Sequence, residues 1–119
     1  TAYACEPFVT TEQGGGFVRN GKIKNIFAIN SRKKTKNEEA DKLLNFIWEN
    51  FNMLPFALRW ITKEWEEKKA RELLDILIKK KAVQAYPVLI EVNEQRVAQA
   101  EHTFIPTESG VTVTTKALA

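Results

Sequence analysis

The sequence predicts an α+β fold in which a helical middle segment separates two strand-rich ends. Between residues 37 and 81 apolar residues recur every three or four positions, which is the spacing of amphipathic helices. Residues 2–11 and the region after residue 86 instead contain short runs of β-branched and aromatic residues, which are typical of strands. The fold class follows from this change of period along the chain.

The first strand is predicted over residues 2–11, followed by a flexible turn at residues 13–16 that contains three consecutive glycines. These glycines lack the strand-before, helix-after context of a phosphate-binding loop. Asn20-Gly21 is the strongest short-range hairpin signal in the chain. A hairpin is therefore predicted between residues 17–18 and 23–29.

Three helices are predicted next. Asn37 is a suitable N-cap for the first, Pro55 can open the second as its first residue, and the third covers residues 66–81. Residues 86–92 and 95–105 are predicted to form a second hairpin around Asn93-Glu94, and residues 111–115 a last strand. Three helices followed by a hairpin is the order of a winged helix.

Composition limits the class of protein. At 119 residues, with a hydrophobic share of 44% and a charged share of 28%, the chain suits one ordinary domain. Its single cysteine, Cys5, excludes an internal disulfide framework and is interpreted as small core packing in a protein of the reducing cytoplasm. No apolar run approaches the roughly 20 residues that a membrane span needs, so no membrane association is expected.

Glu6 and Glu101 lie in sequence contexts that are typical of buried strands, one near each end of the chain. A carboxylate inside an apolar strand requires a cation, a metal ion or several hydrogen-bond donors. Each one alone is more often an ion-paired residue at a strand end. If the two strands are neighbours, however, both carboxylates aim at one point, and a divalent metal ion with a preference for oxygen ligands would remove their repulsion.

Four motifs carry a resemblance to the C-terminal part of the type II methionyl aminopeptidases, in their short archaeal form: Glu6-Pro7-Phe8, residues 54–60, Tyr86-Pro87 and Glu101-His102-Thr103. The motifs occur in the family's order, and the resemblance extends from Tyr3 to Thr115. It implies a pita-bread fold with an inserted three-helix winged-helix subdomain. Residues 1–29 and 98–119 would be strands of the catalytic domain and residues 30–97 the insert.

The resemblance also implies a dinuclear metal site of cobalt, manganese or iron(II), in which Glu6 binds one ion and Glu101 bridges both. The family's other ligands, two aspartates and one histidine, are not matched in this chain. Its only histidine, His102, directly follows Glu101 and should point to the opposite face of the strand. Phe8, Tyr86, Pro55 and Leu89 resemble residues that line the family's methionine pocket, with simple core packing as the alternative.

The implied function is that of one portion of an aminopeptidase that removes the N-terminal methionine from nascent proteins. An N-terminal portion of the same enzyme would supply the missing ligands, and this chain alone would be inactive because two ligands cannot hold a dinuclear cluster. The main alternative is a catalytically inactive pita-bread relative that binds ribosomes or nucleic acid. A second is a free winged-helix nucleic-acid module, which leaves both glutamates unexplained.

Seven basic residues occur between residues 19 and 36 without any acid among them: Arg19, Lys22, Lys24, Arg32, Lys33, Lys34 and Lys36. Such runs are more often solvated loops than binding patches. A ribosome contact is expected if this run has a partner, because methionine is removed from nascent chains. Sequence-specific DNA binding is not expected, since the third predicted helix mixes acidic residues with its lysines.

Overall fold

The computed structural model of the protein describes residues 1–117. Within them it contains the following elements: β1 (Tyr3–Cys5), β2 (Phe8–Thr10), β3 (Val18–Ile29), α1 (Glu38–Phe51), β4 (Phe56–Ala57), α2 (Leu58–Ile61), α3 (Glu67–Lys79), β5 (Val83–Glu91), β6 (Val97–Gln99), β7 (His102–Thr107) and β8 (Gly110–Val113). The strands form three small sheets with the orders β1-β7-β8, β2-β6 and β4-β3-β5. The mixed α and β composition that the sequence predicts is confirmed.

The chain divides into two compact units. The strand unit comprises Thr1–Arg19 and Leu89–Ala119, and the helical unit comprises Asn20–Val88. None of the helices in residues 1–117 is long and apolar enough to cross a membrane. The division into catalytic strands and an insert at residues 29 and 97, which rests on the family resemblance, stays a prediction.

Helix α1 begins where the sequence predicts. The side chain of Asn37 accepts a hydrogen bond from the backbone N–H of Ala40 at 2.9 Å, which satisfies one of the free donors of the first turn. Glu38, Glu39 and Asp41 follow in that turn, where negative charge is favoured by the helix dipole. The predicted N-cap is therefore confirmed.

Helix α3 is capped by a carboxylate and packs against α1. The two carboxylate oxygens of Glu66 accept hydrogen bonds from the backbone N–H groups of Lys68 and Lys69, each at 3.0 Å. The ammonium of Lys69 also donates to Glu39 on α1 at 2.6 Å, and this hydrogen bond raises the pKa of Lys69 more than its partial desolvation lowers it. The two helices are thus linked at the surface as well as in the core.

The core of the chain lies in the helical unit. Its largest fully buried side chains come from both long helices, from the short elements between them and from the start of β5: Leu43, Ile47, Phe56, Ile61, Leu73, Leu74, Leu77 and Val83. Complete burial of one such side chain stabilises the fold by roughly 1.5–3 kcal/mol relative to leaving it exposed. Those that belong to α1 and α3 occupy the apolar stripes that the helical periodicity predicts.

The second predicted helix is shorter than expected. Instead of opening a helix at Pro55, the chain forms the two-residue strand β4, in which Ala57 pairs with Ile26 and Phe56 pairs with Phe27. The rings of Phe27 and Phe56 stack at 5.8 Å between centroids inside the core. Burial of Phe56 through strand pairing overrides the local helix signal, and only α2 remains helical.

The hairpin predicted at Asn20-Gly21 is wrong. Residues 18–29 form one continuous strand, β3, and neither Asn20 nor Gly21 has the positive φ that a two-residue hairpin turn requires. Strand pairing of β3 with β4 and β5 determines its conformation instead. A local turn signal has been overridden by pairing with distant segments.

The hairpin predicted over residues 86–105 is also wrong. Strand β5 pairs in the sheet with β3, whereas β6 pairs with β2 and β7 pairs with β1 and β8. The order of three helices is present, but the strands that were expected to form the wing pair elsewhere. The winged-helix character of the middle segment is therefore not confirmed.

In the strand unit, the first predicted strand is interrupted. The chain forms β1 and β2 with Glu6-Pro7 between them, because proline has no backbone N–H to donate to a ladder. The expectation that this segment is buried is wrong: Tyr3, Phe8 and Val9 are 51%, 57% and 63% exposed. Cys5 is exposed as well and is not a core residue.

Candidate functional site

The register of two short ladders brings Glu6 and Glu101 together. Cys5 of β1 lies opposite His102 of β7, and Phe8 of β2 lies opposite Gln99 of β6. Counting inward from either ladder places Glu6 opposite Glu101 and Pro7 opposite Ala100. The backbone N–H of Ala100 donates to the carbonyl of Pro7 at 3.2 Å, so the pairing continues across the gap.

This register has a direct chemical consequence. Directly opposite residues of an antiparallel pair have Cβ atoms about 4.5–5.5 Å apart and side chains on the same face. Both glutamates are exposed rather than buried, so carboxylates at these opposite positions would form a like-charged pair at the surface. Residues 1–117 contain no group of three or more His, Cys, Asp or Glu side chains that could hold a metal ion.

His102 does not join the two glutamates. It lies opposite Cys5, one position from the glutamate pair, and successive residues of a strand face opposite sides. Its Nδ1 atom lies 3.0 Å from the hydroxyl oxygen of Thr115. This contact agrees with the expectation that His102 points away from Glu101.

Two of the predicted substrate residues share a pocket in the strand unit. Phe8 of β2 and Leu89 of β5 line an apolar depression of about 280 Å³. Its remaining lining residues are Gly16, Phe17, Val18 and Val97. Phe8 and Leu89 are 57% and 56% exposed, so they form the wall of an open pocket and are not core residues.

The other two predicted substrate residues belong to the helical unit. Pro55 is exposed and immediately precedes β4. Tyr86 of β5 is half-exposed, and its hydroxyl accepts a hydrogen bond from the side-chain amide of Gln84 at 2.7 Å. The roles of all four residues in substrate binding stay predictions.

The buried carboxylate of the strand unit is Glu91, which the sequence reasoning missed. One of its oxygens accepts hydrogen bonds from the backbone N–H groups of Gly15 and Gly16, the latter at 3.2 Å. The other accepts from the backbone N–H groups of Asn93 at 2.8 Å and Gln95 at 3.2 Å. Burial alone would raise the pKa of Glu91. The four hydrogen bonds together lower it by more than burial raises it, so the pKa lies below its usual range.

A sequence signal for Glu91 existed. The residue follows Leu89 and Ile90 and precedes Val92, so it is an acid within an apolar strand, the same pattern that singled out Glu6 and Glu101. In the structure the apolar-strand argument holds for Glu91, which is 3% exposed and surrounded by donors.

The glycine turn is shaped by this carboxylate. A Cβ atom on Gly15 would lie 2.3 Å from Cγ1 of Val92. Gly16 has φ +77°, a backbone conformation that residues with a side chain rarely adopt. Both glycines are therefore required where their N–H groups converge on Glu91. The interpretation of residues 13–16 as a turn agrees with this geometry.

The basic run is not a uniform patch of free cations. Arg19 forms an ion pair with Glu94 at 2.7 Å in the strand unit. In the helical unit the guanidinium of Arg32 lies above the ring of Trp48, 4.6 Å from its centroid, and Lys22 and Lys24 line a groove beside Arg71. At least two of the seven cations have intramolecular partners.

Comparison with solved structures bears on the fold of the chain. The chain is similar to a protein described as "Structure of a thermophilic Arx1", with a TM-score of 0.76, covering 94% of this chain and 29% of that one. The sequence identity is 19%, so the likeness concerns the fold alone. No family model matches the sequence.

Comparison with curated proteins bears on the enzyme family as well as on the fold. The chain is 41% identical over 113 residues to the methionine aminopeptidase of Methanocaldococcus jannaschii, covering 95% of this chain and 37% of that enzyme. It is 39% identical over 121 residues to the methionine aminopeptidase of Saccharolobus solfataricus, covering 99% of this chain and 39% of the relative. These matches confirm the resemblance, and they are consistent with the C-terminal part of a type II methionine aminopeptidase. The chain spans less than two-fifths of the length of these relatives.

Proposed function

We propose that this chain is the C-terminal portion of a dinuclear metal-dependent methionyl aminopeptidase, which removes the N-terminal methionine from nascent proteins. The archaeal relatives support the enzyme class. The observation that carries the proposal is that the ladders on either side of Glu6 and Glu101 share one register, which supports opposite positions for the two residues. Two carboxylates on one face repel each other unless a cation lies between them.

The two glutamates fit a site for divalent metal ions. Carboxylate oxygens are hard ligands of the kind that manganese and iron(II) accept, and cobalt is the further candidate. Glu6 would hold one ion and Glu101 would bridge both, while two aspartates and one histidine come from an N-terminal portion of the enzyme. When bound, two ions of this kind lower the pKa of a shared water and polarise the scissile carbonyl.

The apolar pocket of the strand unit would receive the methionine side chain. Phe8 and Leu89 line it, and a thioether packs well against aromatic ring edges and aliphatic groups. Tyr86 and Pro55 lie in the helical unit, and their proposed role in substrate binding rests on the family resemblance alone. The substrate would be the exposed N-terminus of a nascent peptide.

The exposed apolar residues of the strand unit support an obligate partner. Large side chains on its strands and turn are more than half exposed, among them Tyr3, Phe8, Val9, Phe17, Leu89 and Val111. Apolar surface of this extent marks an interaction site. The N-terminal portion of the enzyme is the proposed partner, with a further ribosome contact through the basic run in the cytoplasm.

A chimera tests the proposal. The segment of the Methanocaldococcus jannaschii enzyme that matches this chain is replaced by the present sequence, and methionine release from a Met-Ala-Ser peptide is measured with cobalt, manganese or iron(II). Turnover is expected in the chimera, whereas the 119-residue chain alone should release no methionine with any of these ions. Turnover by the isolated chain would contradict the proposal.

Variants of the chimera test the two roles. Glu101→Ala should remove both metal ions and all activity, because a bridging ligand sets the spacing of the pair, whereas Glu6→Ala should release one ion. Glu12→Ala, a charge-matched change in the same unit, is the control and should leave metal content unchanged. Loss of the same single ion in both variants would argue against the bridging role.

The second candidate function is that of an inactive pita-bread relative with a binding role on the ribosome or on nucleic acid. The fold likeness to Arx1 fits this candidate as well. A folded chimera that holds two metal ions without releasing methionine would favour this candidate. Such an outcome separates a defect in catalysis from a defect in the metal site.

A further inference from the structure

The carboxylate of Glu91 connects three of the segments that form the apolar pocket of the strand unit: the glycine turn, its own strand and the turn that leads into β6. Gly15 and Gly16 donate to one oxygen, and Gly16 and the following Phe17 line the pocket. Asn93 and Gln95 donate to the other oxygen. Their turn leads into β6, whose first residue also lines the pocket.

The third segment is the strand of Glu91 itself. Leu89 lies two residues earlier on β5, on the same side of the strand, and lines the pocket. The backbone N–H of Val92 donates to the carbonyl of Phe17 at 3.0 Å, and the side chain of Asn93 donates to the carbonyl of Gln13 at 3.1 Å. One buried group is therefore tied to the glycine turn, the strand and the 93–95 turn at once.

We propose that Glu91 is a positioning residue, whose carboxylate serves as an internal anion in a nest of four backbone N–H groups and thereby sets the shape of the apolar pocket. Converging backbone N–H groups of this kind bind anions in many proteins. Here the anion belongs to the chain, and the walls of the pocket are attached to the donors. This role goes beyond the proposed peptidase activity and holds whatever ligand the pocket receives.

A chemical rescue experiment tests this role. Glu91→Ala removes a fragment that corresponds to acetate, so free acetate can enter the space and accept the same hydrogen bonds. Acetamide has nearly the same shape without the charge and is the matched control compound. The control variant is Glu94→Ala, which removes an exposed carboxylate from the neighbouring turn.

The readouts are the methyl resonances of Val18, Leu89 and Val97 and the hydrogen exchange of the Gly15 and Gly16 amides in the full 119-residue chain. In Glu91→Ala the methyl resonances should move and the two amides should exchange about tenfold faster or more, which is the effect of losing roughly one hydrogen bond. Acetate should reverse both changes in a saturable manner, and acetamide should reverse neither. Glu94→Ala should leave both readouts unchanged.

Two results would contradict this role of Glu91. Faster exchange at the glycines with unchanged pocket methyl resonances would mean that Glu91 only closes a loop, and would overturn the proposal. If Glu91→Ala does not fold, acetate-dependent folding supports the proposal, and Glu91→Gln provides the second test. This variant keeps the volume but turns a donor group toward donors, so wild-type methyl resonances in Glu91→Gln would refute the role of the anion.

Discussion

Glutamine at position 6 should stabilise the strand unit when no metal ion is present. Glu6 and Glu101 lie at opposite positions of the register shared by the flanking ladders, so neutralising one of them should remove a repulsion between their carboxylates. For two unit charges roughly 5–10 Å apart in water, Coulomb's law gives about 0.4–0.8 kcal/mol. Glu6→Gln should therefore raise the free energy of unfolding by about 0.4–0.8 kcal/mol at low ionic strength.

The measurement is urea unfolding in low-salt buffer with a chelator, followed through the amide resonances of β1 and β7. Glu12→Gln is the matched control, because it changes the net charge equally but lies in the turn after β2. The same measurement is repeated at high salt and with manganese. In 1 M salt the Debye length falls to about 3 Å, so the gain from Glu6→Gln should largely disappear.

Manganese should reverse the order of stability. An ion that binds the folded state stabilises it, and the stabilisation grows with the ratio of the ion's concentration to its dissociation constant. The wild-type pair of carboxylates should bind manganese more tightly than the single carboxylate of the variant. The prediction is contradicted if Glu6→Gln and Glu12→Gln change the free energy of unfolding equally at low salt, or if the effect of Glu6→Gln does not depend on salt. Either result would mean that the two carboxylates do not face each other.

Three further predictions concern other parts of the chain. Asn37→Ala should lower the unfolding free energy of the helical unit by about 1 kcal/mol through loss of the N-cap, as measured by urea unfolding followed by tryptophan fluorescence; no change would mean that the cap is replaced by water. The pKa of Glu91 is lower in the folded state than the unfolded value of about 4.3, so the unfolded state binds more protons at acidic pH. The ionised Glu91 therefore stabilises the fold fully above pH about 4.3, and this stabilisation is lost as the pH falls through the folded pKa. Glu91→Gln should remove this part of the acid sensitivity in an acid titration of stability, and an unchanged titration would contradict it. Neutralising Lys33 and Lys34 should affect only weak, salt-sensitive binding to duplex DNA, with a log–log salt slope reduced by about two if both contact phosphates; tight sequence-selective binding at physiological salt would argue for a nucleic-acid module.

The helices were predictable because their signals are local. The side chain at Asn37 and the apolar stripes of α1 and α3 depend on residues within a few positions, and the structure confirms them. The strands were not, because their pairing depends on distant segments. Asn20-Gly21 carries a strong turn signal, yet β3 runs through it to pair with β4 and β5.

The candidate site was predictable in part for a similar reason. Glu6 and Glu101 can be selected from their sequence context, and the ladders that flank them share one register. Their burial was wrongly expected, since the strands around them expose large apolar side chains within this chain. The anion nest of Glu91 requires four N–H groups from two separated segments, and no local pattern shows that they converge.

The ladders on either side of Glu6 and Glu101 define the pair by spacing as well as by residue type. Deleting Ala100 would leave both carboxylates in the sequence but shift one ladder against the other by one residue. Pro7 would then have no partner in the opposite strand, and the resulting bulge would re-aim the side chains beside it. A deletion in one strand should therefore disturb the pair without removing either carboxylate, and a matching deletion of Pro7 in the opposite strand should restore it. In related sequences the spacing between the flanking strands is expected to change on both sides of the pair together, or not at all.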